Sequence, residues 1–163
     1  MNKDGTTDSR EGAPSDASNA VRAVGAVIAN TRGEVLALER VNAPGLWQMI
    51  QSKLEEDEVP LDVILTKIWT MLRIRTESLD LIQEFPILIA QEPEASMRVQ
   101  SHGGALAEKW FLFHFSGQLP KTDQDLIHSC RRTTLRQFID HVHSLRRPIY
   151  QRLAVVFGPC LTQ

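Results

Sequence analysis

The order of apolar and polar positions along the chain predicts strands first and a helix after them. Val21 to Ile28 is a run of small and β-branched residues, which is typical of a buried strand. Asn30 to Gly33 has the composition of a turn, so Glu34 to Glu39 is predicted to return as the second strand of a hairpin. Pro44 and Gly45 mark another turn, and Leu46 to Ile50 is predicted to be a short third strand.

The first helix is predicted to begin at Pro60 and to end near Arg73. Proline is tolerated there because the first turn of a helix leaves its N–H groups unbonded in any case. Helical spacing puts one set of residues on a single face: Val63, Ile64, Lys67, Ile68, Met71 and Leu72. Leu79 to Ala90 is apolar but contains Pro86, which predicts a bent or edge strand. Gln91 to Gly104 is polar and is predicted to be a loop.

The last third of the chain predicts one more strand and two helices. The segment Trp110 to Phe115 is predicted to be a strand with two different faces. One face carries Phe111, Phe113 and Phe115, and the other carries Leu112 and His114. Thr134 is predicted to cap a helix that runs to about His143, and a final helix is predicted from about Arg147 to Phe157. Strands, a helix, strands and then helices together predict a mixed α/β sandwich.

Composition and charge add few constraints on partners. The 163 residues are 42% hydrophobic and 23% charged with a net charge of −2, which favours one ordinary globular domain without a global attraction to nucleic acid or membranes. Residues 1–19 are polar and are predicted to be a disordered tail before a domain at 20–160. No apolar stretch has the roughly 18 residues of a membrane span, and no secretion signal is recognised. A cytoplasmic protein without a membrane partner is expected.

Several short motifs occur in a consistent order between Val21 and Phe157. They are Val24-Gly25-Ala26-Val27-Ile28, Gly33-Glu34-Val35-Leu36, Pro44-Gly45-Leu46-Trp47-Gln48-Met49, Glu55-Glu56-Asp57-Glu58, Lys109-Trp110-Phe111-Leu112 and Arg146-Arg147-Pro148-Ile149-Tyr150-Gln151-Arg152. In this combination the chain resembles the Nudix superfamily, and within it the RNA pyrophosphohydrolase and diadenosine polyphosphate hydrolase group. The resemblance implies a Nudix-type α/β/α sandwich with a mixed β-sheet, in which Trp47 and Trp110 belong to the core.

The motif that defines this family, the Nudix box, is Gly-x5-Glu-x7-Arg-Glu-U-x-Glu-Glu-x-Gly-U, where U is a bulky apolar residue. Glutamates three and four positions apart lie on one face of a helix. In the family they hold Mg²⁺, a hard cation that prefers oxygen ligands, and the metal neutralises the diphosphate and helps to generate the attacking hydroxide.

Most of the box is replaced in this chain. Glu58 stands at the first glutamate, and the bulky apolar positions are kept, but the replaced positions are Ser52, Thr66, Lys67, Thr70, Met71 and Arg73. Lys67 places an ammonium where the cation would lie, and Met71 offers a thioether, which is a poor ligand for a hard ion. The resemblance therefore implies Glu58 as the one retained catalytic or metal-binding glutamate. No cofactor is expected, with Mg²⁺ or Mn²⁺ needed only if the protein is active.

Segments near the implied substrate cleft differ as well. The candidate substrate-binding residues are Gln48, Gln51, Lys53 and Arg132. Gln51-Ser52-Lys53 replaces a Gln-Gly-Gly turn of the family, and the loss of two glycines argues against the same approach of the backbone to phosphate. Cys130 and Arg132 occupy the positions of an aromatic pair in the strand before the penultimate helix.

Three functions stay open at this point, and the sequence favours the first. A pseudoenzyme would keep the fold and bind a nucleotide, an RNA 5′ end or a protein partner without Mg²⁺-dependent hydrolysis. An active hydrolase of nucleoside diphosphate-linked compounds would need Glu58 together with Asp62, Glu92 or Glu94. An assembly subunit without a nucleotide role would bind partners through its acidic tail or its basic C-terminal residues: Arg131, Arg132, Arg136, Arg146 and Arg147.

Overall fold

The computed structural model describes residues 21–89 and 106–162 of the chain. The predicted tail at 1–19 and the predicted loop Gln91–Gly104, with Glu92 and Glu94, lie outside these ranges. The described elements are β1 (Val21–Ala29), β2 (Glu34–Arg40), β3 (Trp47–Gln48), β4 (Ile50–Lys53), α1 (Pro60–Leu72), a 3₁₀ turn (Thr76–Ser78), β5 (Asp80–Ile89), β6 (Leu106–His114), β7 (Ile127–Thr134), α2 (Leu135–Asp140) and α3 (Arg147–Leu161).

The strands form one mixed sheet. Its order is β3-β2-β1-β6-β5, and in addition β4 pairs with β1 and β7 pairs with β2. β1 and β6 run parallel, while every other described pairing is antiparallel. β1 lies inside the sheet, so its run of small and β-branched residues is buried on both faces.

Helices cover both faces of this sheet, which confirms the predicted α/β/α sandwich. One core cluster joins Ile64 and Ile68 of α1 to Phe111 and Phe113 of β6. The second joins Trp110 and Leu112 of β6 to side chains of α2 and α3. The alternation read from β6 in the sequence therefore separates the two cores. No helix among the described residues is long and apolar enough to cross a bilayer.

The region from Leu46 to Lys53 differs from its prediction. The single third strand is two short strands, and Gln51-Ser52-Lys53 is not a turn but part of β4. The reason is pairing: Gln51 lies opposite Gly25 and Ser52 opposite Val24 of β1, so the backbone of this segment is used in the sheet. The predicted hairpin of β1 and β2 is reduced to one registered pair, Ala29 with Val35.

The strand between β6 and α2 was not evident from apolar periodicity, although the family resemblance placed Cys130 and Arg132 in a strand. The structure confirms this placement, since β7 pairs along the whole length of β2. Only Ile127 and Thr133 of β7 are buried, so its polar sequence carries no clear alternation.

The helices begin where the sequence predicts but end elsewhere. Pro60 opens α1, and Thr134 caps α2 in a reciprocal hydrogen-bonded box with Gln137. α2 ends at Asp140 instead of His143, and α3 continues to Leu161 instead of Phe157. Pro159 lies inside the last turn of α3, two residues beyond the predicted end at Phe157.

Candidate functional site

Helix α1 holds the box positions against the sheet. It contacts β4 and β1, and Ile64, Ile68 and Leu72 anchor its buried face. At its C-terminus Arg73 adopts a left-handed conformation with φ of 55°, the only positive φ of a non-glycine residue in the described chain. The box has glycine at this position, and a left-handed residue there is what glycine favours. The backbone therefore supports the register of the box read from the sequence.

A shallow outer depression of about 490 Å³ lies along the exposed side of α1. The residues from the box that line it are Ser52, Glu58, Thr66, Lys67 and Thr70, joined by Asp62. The Thr70 hydroxyl donates to the carbonyl of Thr66 at 2.9 Å, so it is directed back to its own helix. The outer depression therefore carries one ammonium, three hydroxyls and two carboxylates.

Glu58 also has a local structural task. Its Oε2 accepts a hydrogen bond from the backbone N–H of Glu55 at 2.8 Å, while its own N–H donates to the Glu55 carbonyl at 3.2 Å. The carboxylate thus closes the acidic turn that precedes α1. One of its two oxygens already serves this turn.

The donor set of the outer depression does not suit a divalent cation. Within residues 21–89 and 106–162, no group of three or more His, Cys, Asp or Glu side chains is placed to hold a metal. Glu58 and Asp62 share the depression with the Lys67 ammonium, and like charge opposes Mg²⁺. Asp62 is the one carboxylate within the described ranges that joins Glu58 in this depression.

An inner cavity of about 110 Å³ lies between α1 and the sheet. Lys67 belongs to both the outer depression and the inner cavity, so it forms the wall between them. The other polar lining residues are Arg40 at the end of β2 and the amides of Gln48 and Gln51, with buried Met71 on the helix side. None of the described lining residues carries a carboxylate.

A third space of about 260 Å³, the arginine cleft, lies on the far side of Gln48 and Gln51. Its polar lining includes Arg146 and Tyr150. Arg146 makes a two-pronged contact with Glu108, with nitrogen–oxygen distances of 2.7 and 3.0 Å, and it also donates to Gln51 Oε1 at 2.8 Å. The arginine cleft therefore contains a cation that already has a carboxylate partner.

The same network fixes two further side chains. Trp110 Nε1 donates to Glu108 Oε2 at 3.0 Å, and Gln51 Nε2 donates to the Tyr150 hydroxyl at 2.8 Å. Burial opposes the charge of Arg146, but the hydrogen bonds and charge of Glu108 outweigh this effect, so the pKa of Arg146 is raised. Burial also raises the pKa of Tyr150, which keeps its hydroxyl protonated.

Trp110 is completely buried, and Trp47 is half-buried and packs against the second core cluster. The Trp47 ring stacks on His141 with centroids 4.3 Å apart, and the Arg131 guanidinium lies 4.7 Å from its centroid. Its edge lines the arginine cleft. The indole is thus a rigid part of the cleft wall.

The candidate substrate-binding residues separate into two groups. Gln48 and Gln51 lie together and line both the inner cavity and the arginine cleft. Lys53 is exposed at the end of β4 and lines none of the three spaces. Arg132 also lines none of the three spaces. It donates to the Gly117 carbonyl at 2.7 Å and packs near Phe115. The structure does not bring Lys53 or Arg132 to the site.

Two site residues were missed because nothing local marks them. Arg40 follows Leu36 and Leu38 on the same face of β2, so the alternation of that strand could have directed it toward α1. Glu108 precedes Lys109-Trp110-Phe111 and is 7% exposed, which the sequence alone does not reveal.

Burial raises the pKa of the Cys130 thiol to about 11, so Cys130 is protonated and is not a thiolate ligand.

Comparison with known proteins agrees with this architecture. The chain is 24% identical over 146 residues to an RNA pyrophosphohydrolase of Cereibacter sphaeroides, and the match covers 85% of this chain and 90% of that protein. A Nudix hydrolase of M. smegmatis superposes with a TM-score of 0.65 at 15% identity, covering 86% of this chain and 87% of that one. An Ap4A hydrolase of C. elegans gives 0.61 at 13% identity, covering 85% and 98%. No protein-family model matches the chain.

The fold is therefore that of the Nudix hydrolases. In sequence, the chain is similar to RNA pyrophosphohydrolases, at 24% identity for the protein of Cereibacter sphaeroides and 26% for that of Coxiella burnetii.

Proposed function

We propose that this protein binds the phosphate-bearing end of a nucleotide or of an RNA without hydrolysing it by a Mg²⁺-dependent reaction. The observation that carries the proposal is the exposed face of α1, where Lys67, Thr66 and Thr70 stand at box positions. A ligand phosphate would meet an ammonium directly, where a hydrolase of this family offers it a metal. A sequence relative is named an RNA pyrophosphohydrolase and a structural neighbour an Ap4A hydrolase, which supports this ligand class.

Chemistry explains why binding can persist after hydrolysis is lost. The metal of a Nudix site both neutralises the diphosphate and activates the attacking water. A lysine supplies the first of these effects through its charge, but it does not generate hydroxide at neutral pH, because an ammonium is neither a Lewis acid nor a base. The proposed protein keeps ligand neutralisation and loses the nucleophile.

An active hydrolase remains the competing function, and Asp62 is the residue that favours it. Asp62 and Glu58 line the same depression, so two carboxylates could hold one Mg²⁺ together with ligand phosphates. Lys67, which lines that depression with them, opposes this arrangement.

The test is an incubation of the purified protein with 5′-triphosphate RNA and with diadenosine tetraphosphate, in Mg²⁺ and then in Mn²⁺. We expect no release of pyrophosphate or mononucleotide above the rate of a Glu58→Gln, Asp62→Asn double variant. The Cereibacter sphaeroides RNA pyrophosphohydrolase serves as the positive control for the RNA substrate. Turnover by the wild-type protein that the double variant abolishes would reject the proposal in favour of the hydrolase.

A further inference from the structure

The inner cavity concentrates positive charge that no described side chain neutralises. Lys67 and Arg40 both line it, and the described lining residues include no carboxylate. Neither Lys67 nor Arg40 takes part in an ion pair within residues 21–89 and 106–162. The contrast is Arg146, which lines the neighbouring arginine cleft but is neutralised by Glu108 at 2.7 Å.

Arg40 also contains a buried donor without a partner. Its Nε–H is inaccessible to solvent and has no acceptor among the described residues. An unsatisfied buried donor of a charged group costs on the order of 1–3 kcal/mol or more, so native proteins rarely keep one unless a water, ligand or ion uses it. The inner cavity, which other parts of Arg40 line, has room for a small anion and shares Lys67 with the outer depression.

We propose that the inner cavity binds one terminal phosphate group, with Lys67 and the Arg40 guanidinium as its two cationic contacts and without a divalent ion. This inference rests on the proposed function, since it names where the phosphate of the bound nucleotide or RNA lies. The planar Arg40 guanidinium matches a phosphate in geometry and charge, and the Lys67 ammonium contributes a point charge from α1. The Gln48 amide, which lines the cavity beside them, can donate to a third oxygen.

The geometry also separates the two ends of a longer ligand. Lys67 lines both the outer depression and the inner cavity, and Gln48 and Gln51 line both the inner cavity and the arginine cleft. Trp47 and Tyr150 line the arginine cleft but not the inner cavity that contains the cationic pair. The inner cavity is therefore expected to prefer a ligand that ends in a free phosphate group over a dinucleoside polyphosphate, whose phosphate chain carries a nucleoside at both ends.

The experiment measures binding of inorganic pyrophosphate, ADP and a short RNA in buffer that contains EDTA. We expect saturable binding that weakens with added salt, and we expect a 5′-phosphorylated RNA to bind at least about tenfold more tightly than the same RNA with a 5′-hydroxyl. Tighter binding of ADP would identify a free nucleotide as the source of the phosphate, and tighter binding of the 5′-phosphorylated RNA would identify an RNA end.

Variants connect the binding to the cavity. Lys67→Gln and Arg40→Gln are each expected to weaken pyrophosphate binding by at least about tenfold, because each removes a charge-assisted contact. Arg32→Gln, an exposed arginine in the β1–β2 turn, removes the same charge elsewhere and is expected to change the affinity less than about twofold. If the Arg40→Gln protein folds poorly, Arg40→Lys is measured in its place. This variant keeps the charge but lacks the planar guanidinium, so an intermediate loss of affinity for pyrophosphate is expected.

A direct readout is the Arg40 Nε–H resonance in a ¹H–¹⁵N spectrum, which should shift downfield on addition of pyrophosphate in EDTA. Absence of metal-free binding, or binding that neither Lys67→Gln nor Arg40→Gln weakens, overturns the inference. The binding test and the hydrolysis assay can fail separately. A protein that hydrolyses its substrate with Mg²⁺ can still bind pyrophosphate in EDTA, and a protein without hydrolysis can still fail to bind it.

Discussion

At the scale of single residues, the described chain contains two carboxylate–cation pairs of different character. Glu108 is buried and receives hydrogen bonds from Arg146 and Trp110, whereas Glu84 is more than half exposed and pairs with Lys109 alone at 3.0 Å. Removing one partner of a buried pair leaves a charge without water or counter-charge, while an exposed pair is screened by solvent. The two glutamates therefore form a matched comparison on neighbouring strands.

We expect Glu108→Gln to lower the free energy of unfolding by about 2–4 kcal/mol, because it leaves the half-buried guanidinium of Arg146 without its counter-charge and weakens the acceptor of Trp110. Glu84→Gln is the control and should cost less than about 1 kcal/mol. Urea denaturation of both variants provides the measurement. Equal losses in the two variants would show that burial of the Arg146 pair has no energetic consequence.

At the scale of elements, α1 ends in a left-handed residue that is not glycine. Arg73 has φ of 55°, in the left-handed region that L-residues with a side chain disfavour by roughly 1–2 kcal/mol. Its guanidinium lies 5.7 Å from the centroid of the exposed Trp69 ring, which offsets part of this cost by at most about 1 kcal/mol. The helix therefore ends in a strained residue whose side chain has one weak contact.

We predict that Arg73→Gly raises the free energy of unfolding by about 0.5–1 kcal/mol, because glycine adopts this conformation without strain. Arg75→Gly is the control, since Arg75 lies two residues further on in extended backbone with φ of −73°. There the same replacement only increases the freedom of the unfolded chain and should be destabilising or neutral. A destabilised Arg73→Gly protein would contradict the left-handed assignment at this position.

Elements with a strong local pattern were the predictable ones. The helix face of α1, the buried run of β1 and the two-sided alternation of β6 each follow from apolar spacing, and the structure confirms all three. β4 and β7 were not predictable in this way. Both are polar strands whose place is fixed by the partner they pair with, β1 and β2, and pairing between distant segments leaves no periodic trace in the sequence.

At the scale of the whole molecule, charge is distributed unevenly among the three spaces. The carboxylates Glu58 and Asp62 line the outer depression, Arg40 lines the inner cavity, Lys67 lines both, and the Arg146 charge is neutralised in the arginine cleft. A net charge of −2 gives no hint of this arrangement. The inner cavity is thus a local basic site in a slightly acidic chain, which is suited to a small anion more than to an extended nucleic acid.

The site could be predicted from the sequence only in part. The replaced box positions and the pair Gln48 and Gln51 follow from the family resemblance, and the structure brings Lys67, Gln48 and Gln51 to one cavity. The alternation of β2 directs Arg40 toward α1 but does not mark it as a site residue, and the burial of Glu108 beside Arg146 could not be predicted, because it depends on contacts between distant segments. Lys53 and Arg132 were proposed from their positions beside the motifs, yet they lie on surfaces that the sheet directs elsewhere.

The most direct test of the central claim, that α1 has lost its divalent-cation site, is a calorimetric titration of Mg²⁺ into the wild-type protein and into a Lys67→Glu, Thr70→Glu, Met71→Glu triple variant. We predict no saturable Mg²⁺ binding by the wild type and a gained site in the triple variant, where glutamates again share the helix face. Saturable Mg²⁺ binding by the wild type that Glu58→Gln abolishes would contradict the claim.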